Sequence, residues 1–183
     1  MFQKLLEKIA QELLNQRIPY MVIGGQAVLV YGEPRLTKDI DITLGIGIEE
    51  LDRIVNLVKK TALKPLIDNI GEMVKKTMVF PVEDRESGIR VDFIFSFSPY
   101  ERQAIERAIE IKIGRTEVKF AVLEDLVIHK IVAGRARDME DIKSVLLKNP
   151  NHDDLYIEKW LGEFDKSLNE NFIEKFKTLV RQM

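Results

Sequence analysis

Six consecutive residues constrain this chain more than any others: in Asp39-Ile40-Asp41-Ile42-Thr43-Leu44, polar and apolar side chains alternate without a break. A period of two belongs to a strand with one wet and one dry face, and it sends both aspartates to the same side. Upstream, Pro19 precedes the apolar run Tyr20-Met21-Val22-Ile23, which ends at Gly24-Gly25 and leads into a helical stretch from Gln26 to Tyr31. Gly32 and Pro34 stop that helix. Downstream, Leu51, Ile54, Val55 and Val58 recur at helical spacing between Ile48 and Lys60, so β and α alternate in this half of the chain.

A chain of 183 residues, 45% hydrophobic and 32% charged, suits one soluble domain, or one domain with a helical extension. Lys and Arg number 28 against 30 Asp and Glu, and this balance argues against a protein that coats nucleic acid, which needs clustered cations. With no cysteine there is no disulfide or thiolate site, so a metal would rest on oxygen or imidazole ligands, and only His129 and His152 could supply imidazole. Met1 to Gln16 carries Phe2, Leu5, Leu6, Ile9 and Leu13 on one helical face, unlike a signal peptide. No apolar run approaches the ~20 residues of a membrane span, and a cytoplasmic protein is expected.

Further strands are predicted at Thr77 to Val82 and Ile89 to Phe95, an antiparallel hairpin around a polar loop ending in Gly88, with Asp92 opposite the face of Val91, Phe93 and Phe95. Ser98-Pro99-Tyr100-Glu101 is a capping box opening a helix to about Ala108. Ile109 to Ile113 and Val118 to Phe120 suit a short strand pair. Helices are expected at Leu123 to Ala133, Met139 to Leu147, Leu155 to Phe164 and Leu168 to Val180. The stretch around Pro65 and Gly71 has no assignment. The expected fold is α+β, a mixed sheet flanked by helices, with a core at 1–122 and a C-terminal helical region at 123–183 packed on it as a cap.

Asp39 and Asp41 project side by side, and a third carboxylate from another strand, Asp92, can complete a set of oxygen ligands for Mg²⁺. Gly24-Gly25 at a helix start lets phosphate oxygens approach backbone N–H groups. Each piece has a plainer reading: a solvated strand face, a simple turn, or, for Asp92, an edge charge or a partner for Arg90 or Lys119. The combination is more specific. Val22-Ile23-Gly24-Gly25-Gln26-Ala27 through Arg35-Leu36-Thr37-Lys38-Asp39-Ile40-Asp41-Ile42 resembles the nucleotidyltransferase superfamily with the DNA polymerase beta fold. A second stretch is similar to the abortive-infection type known from toxin-antitoxin pairs. It runs from Leu123-Glu124-Asp125-Leu126 through Lys130 to Ala133-Gly134-Arg135-Ala136-Arg137-Asp138-Met139-Glu140-Asp141-Ile142.

The resemblance implies that Asp39, Asp41 and Asp92 hold two divalent ions, Mg²⁺ or alternatively Mn²⁺, and that Gly24 and Gly25 cradle a nucleoside triphosphate. A nucleoside monophosphate would then pass to a hydroxyl of RNA, a protein or a small molecule, and an antitoxin-like protein is a candidate partner. Many active members carry serine where this chain has Gly25, which leaves a nucleotide-binding module without turnover as the alternative. Arg35 and Lys38 are candidate phosphate contacts or exposed loop cations. Lys130 lies at the margin of its helix's apolar stripe, either reaching a cleft or extending its ammonium to water. Asp138 and Asp141 match the signature, yet read as a cap and a dipole partner of a helix starting at Met139. Leu168, Phe172 and Phe176 would form a partner surface if exposed, and the core of the last two helices if buried.

Overall fold

The computed structural model describes residues 2–96 and 98–183, so Met1, the first residue of the predicted N-terminal helix, lies outside it. The chain opens with helix α1, Phe2–Asn15, whose apolar stripe Leu5, Leu6, Ile9, Ala10 and Leu13 is buried. Strand β1, Tyr20–Ile23, runs straight into helix α2, Gly24–Tyr31. The two glycines are therefore the helix's first turn, rather than a turn ahead of Gln26. Strand β2 is Asp39–Leu44, and a single 3₁₀ turn at Ile48–Glu50 leads into α3, Leu51–Lys60. The stretch without assignment holds β3, Leu63–Pro65, and α4, Ile70–Thr77, both too short for their periodicity to stand out.

Strands β4, Val79–Asp84, and β5, Arg90–Phe95, form the expected hairpin. Helix α5, Pro99–Arg107, starts at the capping box, where Glu101 N–H donates to Ser98 Oγ at 3.3 Å and the Glu101 carboxylate accepts the Ser98 N–H at 3.1 Å. Strands β6, Ile109–Ile113, and β7, Thr116–Phe120, follow. The remaining helices are α6, Leu123–Ala133; α7, Ala136–Lys148; α8, Asp154–Leu168; and α9, Phe172–Arg181. Helix α7 starts at Ala136, ahead of the expected Met139, so Asp138 sits inside its first turn and is not its N-cap. Helix α8 runs on through Leu168 until Asn169, at φ 54, turns the chain out in the left-handed conformation asparagine tolerates. The Asp165 carboxylate then accepts the Phe172 and Ile173 N–H groups that open α9.

The chain divides into two units, Met1–Gln26 with Leu36–Ala121, and Ala27–Arg35 with Val122–Met183. The first contains one sheet in the order β3-β4-β5-β2-β1-β7-β6, with β2 parallel to β5, β1 parallel to β7, and the other neighbours antiparallel. Alternation makes one sheet face dry: Ile40, Ile42, Leu44, Val91, Phe93 and Phe95 are at most 2% exposed. Helix α1 packs on β7, β6 and α3, and α3 packs on β3.

In the second unit α6, α7, α8 and α9 pack on one another around Leu126, Ile131, Ile142, Val145, Ile157 and Leu161. Phe172 and Phe176 are buried there, and only Leu168 of that stripe reaches solvent, so the stripe is core and not a partner surface. Among the described residues, no helix is long and apolar enough to cross a membrane.

Candidate functional site

The face of the sheet opposite the dry one carries the three aspartates singled out in the sequence. Asp41 pairs in register with Ile23 of β1 and with Asp92 of β5, so the two carboxylates stand on neighbouring parallel strands, on the same side. Asp39 lies two residues earlier on β2, on that same side, in register with Arg90. Adjacent strands lie ~4.8 Å apart, so Asp41 and Asp92 are cross-strand neighbours on this face. Gly24, the first residue of α2, lies against Asp41. Its φ of +64° is the left-handed conformation that favours glycine, and a Cβ there would overlap Asp41 Oδ2 and lie 2.9 Å from Cγ. Gly25 follows, buried. Gln26 Nε2 donates to Thr37 Oγ1 at 2.7 Å, both side chains being buried, and this ties the approach to β2 against the start of α2. Lys38, next to Asp39, is exposed.

Arg90 supplies this face with a cation of its own. Its Nε donates to Asp92 Oδ1 at 2.9 Å, and across the sheet it stands between Asp39 and Glu83. The bond to Asp92 raises the Arg90 pKa above its ordinary value; partial burial opposes the rise, and the charges of Asp92, Asp39 and Asp41 add to it. Among the described residues, no three His, Cys, Asp or Glu are gathered as a ready metal-holding group. The donors nevertheless fit a hard cation: they are carboxylate oxygens on adjoining strands, and the field they make already draws a guanidinium to them.

Arg35 and Lys130 occupy the second unit, in a network of buried charge. Lys130, 5% exposed, places Nζ 2.8 Å from Asp138 Oδ1 and 2.7 Å from Asp141 Oδ2. Arg35 reaches the same Asp141, with Nε 2.8 Å from Oδ1 and Nη2 donating to Oδ2 at 3.0 Å. Asp138 Oδ2 also accepts the Arg135 N–H at 3.3 Å. Two cations thus balance two carboxylates, and the Lys130 ammonium is held inside, not extended to water.

Gln26 and Thr37 stand in the stretch that carries the resemblance with no role of their own assigned there, and Glu83 has no sequence signal, because its place beside Arg90 depends on hairpin register.

His129, next to Lys130, has its Nε2 buried, and burial pushes its pKa down to about 4 from 6.5. The folded state then binds fewer protons than the unfolded chain between these values, so stability is lost as pH falls through 6.5 towards 4. The loss expected is about 2–3 kcal/mol. Urea midpoints followed by Trp160 fluorescence should fall across that window in the natural protein, and fall less in His129→Gln.

A family model described as "Nucleotidyltransferase of unknown function (DUF6036)" matches residues 1–177. No curated protein matches the chain. Among solved structures, the chain is similar to the antibiotic-resistance factor ANT(2'')-Ia, at 15% identity over 91% of this chain and 92% of that one, with a TM-score of 0.61. It is also similar to an antigenic nucleotidyltransferase-like protein from Paracoccidioides brasiliensis, at 16% identity over 90% and 87%, TM-score 0.55. A third is the lincosamide antibiotic adenylyltransferase LnuA with lincomycin bound, at 17% identity over 78% and 94%, TM-score 0.54. At such identities the likeness shows the fold, the α+β fold of polymerase beta-like nucleotidyltransferases.

Proposed function

Because the chain belongs to the nucleotidyltransferase family DUF6036, we propose that it transfers a nucleoside monophosphate from a nucleoside triphosphate to a hydroxyl-bearing acceptor, with Mg²⁺ bound by Asp39, Asp41 and Asp92. The observation that carries this reading is the contact of Gly24 with the Asp41 carboxylate, on a strand whose neighbour presents Asp92. A backbone open enough to take phosphate oxygens and an acidic face able to hold their counter-ions then lie side by side.

The amide groups opening α2 at Gly24 and Gly25 receive the triphosphate, with Lys38 beside it. Bound divalent ions, Mg²⁺ or Mn²⁺, would supply stabilisation of negative charge on the entering and leaving oxygens. Asp92, oriented by Arg90, accepts the proton of the acceptor hydroxyl. The freed oxygen forms a bond to the α-phosphorus, the bond from α-phosphorus to the bridging oxygen breaks, and pyrophosphate leaves with the electron pair. ANT(2'')-Ia is known in complex with adenylyl-2''-tobramycin, so small hydroxyl compounds belong in an acceptor panel beside RNA and protein.

Incubation with each labelled nucleoside triphosphate, Mg²⁺ or Mn²⁺ and these acceptors should give label transfer and pyrophosphate. Asp41→Asn is expected to reduce transfer by at least about a hundredfold. Nucleotide binding with no transfer to any acceptor would favour the module without turnover, for which Gly25, lacking the hydroxyl of serine, is the specific indication.

A further inference from the structure

The two edges of the sheet are built differently. Strand β3 is three residues long and ends in Pro65, a short edge that proline blunts. Strand β6, at the other end, has five residues, Ile109-Glu110-Ile111-Lys112-Ile113, with no proline and an unbroken one-to-one register on β7. Such an edge is a template for another strand unless something opposes it. A lone lysine ordinarily does so, but here the residue two positions away is a glutamate.

The five residues are symmetric about Ile111. If a second copy of β6 pairs antiparallel with Ile111 facing Ile111, then Glu110 of each copy faces Lys112 of the other, and Ile109 faces Ile113. Registers centred on Glu110 or Lys112 instead set like charges against each other, so one register is favoured over its neighbours. The pattern continues inward. Within the chain Glu110 is in register with Lys119, 3.9 Å between charged atoms, and Lys112 with Glu117. Across the joined sheets each row would read Lys119, Glu110, Lys112, Glu117, alternating in sign over four strands. On the opposite face Ile109 is 38% exposed, and Ile111 and Ile113 are half-buried, although they share that face with the buried Val118 and Phe120 of β7. A partner's isoleucines would close the row.

We infer that β6 is a self-association edge, through which two copies of this chain join their sheets about a two-fold axis at Ile111. A single edge strand makes an interface at the small end of the range, so association is reversible and concentration-dependent.

Sedimentation equilibrium across a concentration series should show the natural chain rising from its 21.2 kDa monomer towards twice that mass. Lys112→Glu alone should weaken dimers by about tenfold or more, as should Glu110→Lys alone, because each sets like charges opposite one another at both ends of the pairing. Mixing the two variants restores Glu–Lys opposition in both pairs, so the mixture should form dimers that neither variant forms alone, with circular dichroism establishing that each variant is folded. A natural chain that stays monomeric throughout, a Lys112→Glu variant that sediments like it, or a mixture that stays monomeric would each overturn the assignment.

Discussion

Replacing Lys130 with methionine is expected to destabilise the helical unit by about 3–5 kcal/mol, because it removes the one buried cation from a set of four charges, three of them buried, and leaves the carboxylates short of a partner. Asp138 and Asp141 are 8% and 5% exposed, and Lys130 is their common donor, at 2.8 and 2.7 Å. Arg35 is engaged with Asp141 through both Nε and Nη2. Trp160, the sole tryptophan, lies in α8 of the same unit, and its fluorescence reports the relevant unfolding. At ordinary urea slopes the midpoint should fall by about 1–3 M. The sign of a second substitution decides the cause. Lys130→Met with Asp138→Asn removes one charge of each sign and should recover much of the loss, since a neutral buried set costs less than an unbalanced one. If Lys130→Met instead leaves the midpoint unchanged and alters only nucleotide affinity, the ion pairs carry no stability and the lysine serves a ligand.

The same lysine marks where sequence reading stops. Its position at the edge of an apolar stripe was compatible with a cleft or with water, because the deciding fact is the burial of Asp138 and Asp141, which depends on how α6 and α7 cross. Local order was far more legible. The alternation from Asp39 to Leu44 and the capping box at Ser98 each act over a few residues, and each appears in the structure, whereas the glycine pair expected ahead of α2 is its first turn. Helix α4 and strand β3 were not legible, since neither spans enough residues to show a period. Within the candidate site, Asp39 and Asp41 could be placed on one face from spacing alone. The position of Asp92 beside Asp41 needs the parallel pairing of β2 with β5, and Arg90 between Asp39 and Glu83 needs the register of three strands. Pairing between strands distant in sequence is set by the whole packed sheet, and a linear pattern records only which residues are suited to it.

Gly24→Ala should be the most disruptive small change at the candidate site, because two separate costs coincide there. The first is conformational: at φ +64° a Cβ clashes with its own backbone, worth about 1–2 kcal/mol. The second is spatial: the new methyl would take the place of Asp41 Oδ2, and overpacking of this kind costs about 1–3 kcal/mol more. Gly88 separates the two, since its φ of +66° is nearly the same while nothing lies within 4 Å of a Cβ built there. Gly88→Ala should therefore show the conformational cost alone, and Gly24→Ala should exceed it by the contact with Asp41. In an Asp41→Ala background the carboxylate is gone and only a Cβ at 3.3 Å remains, so most of the excess should disappear from the thermal midpoint. Transfer follows a different rule, because Gly24→Ala displaces a carboxylate that Asp41→Ala deletes. Both should lose activity by a similar factor, and the double variant should lose little beyond either. Equal stability losses for Gly24→Ala and Gly88→Ala, or transfer that survives Gly24→Ala, would mean that the Asp41 carboxylate does not depend on the open backbone beside it.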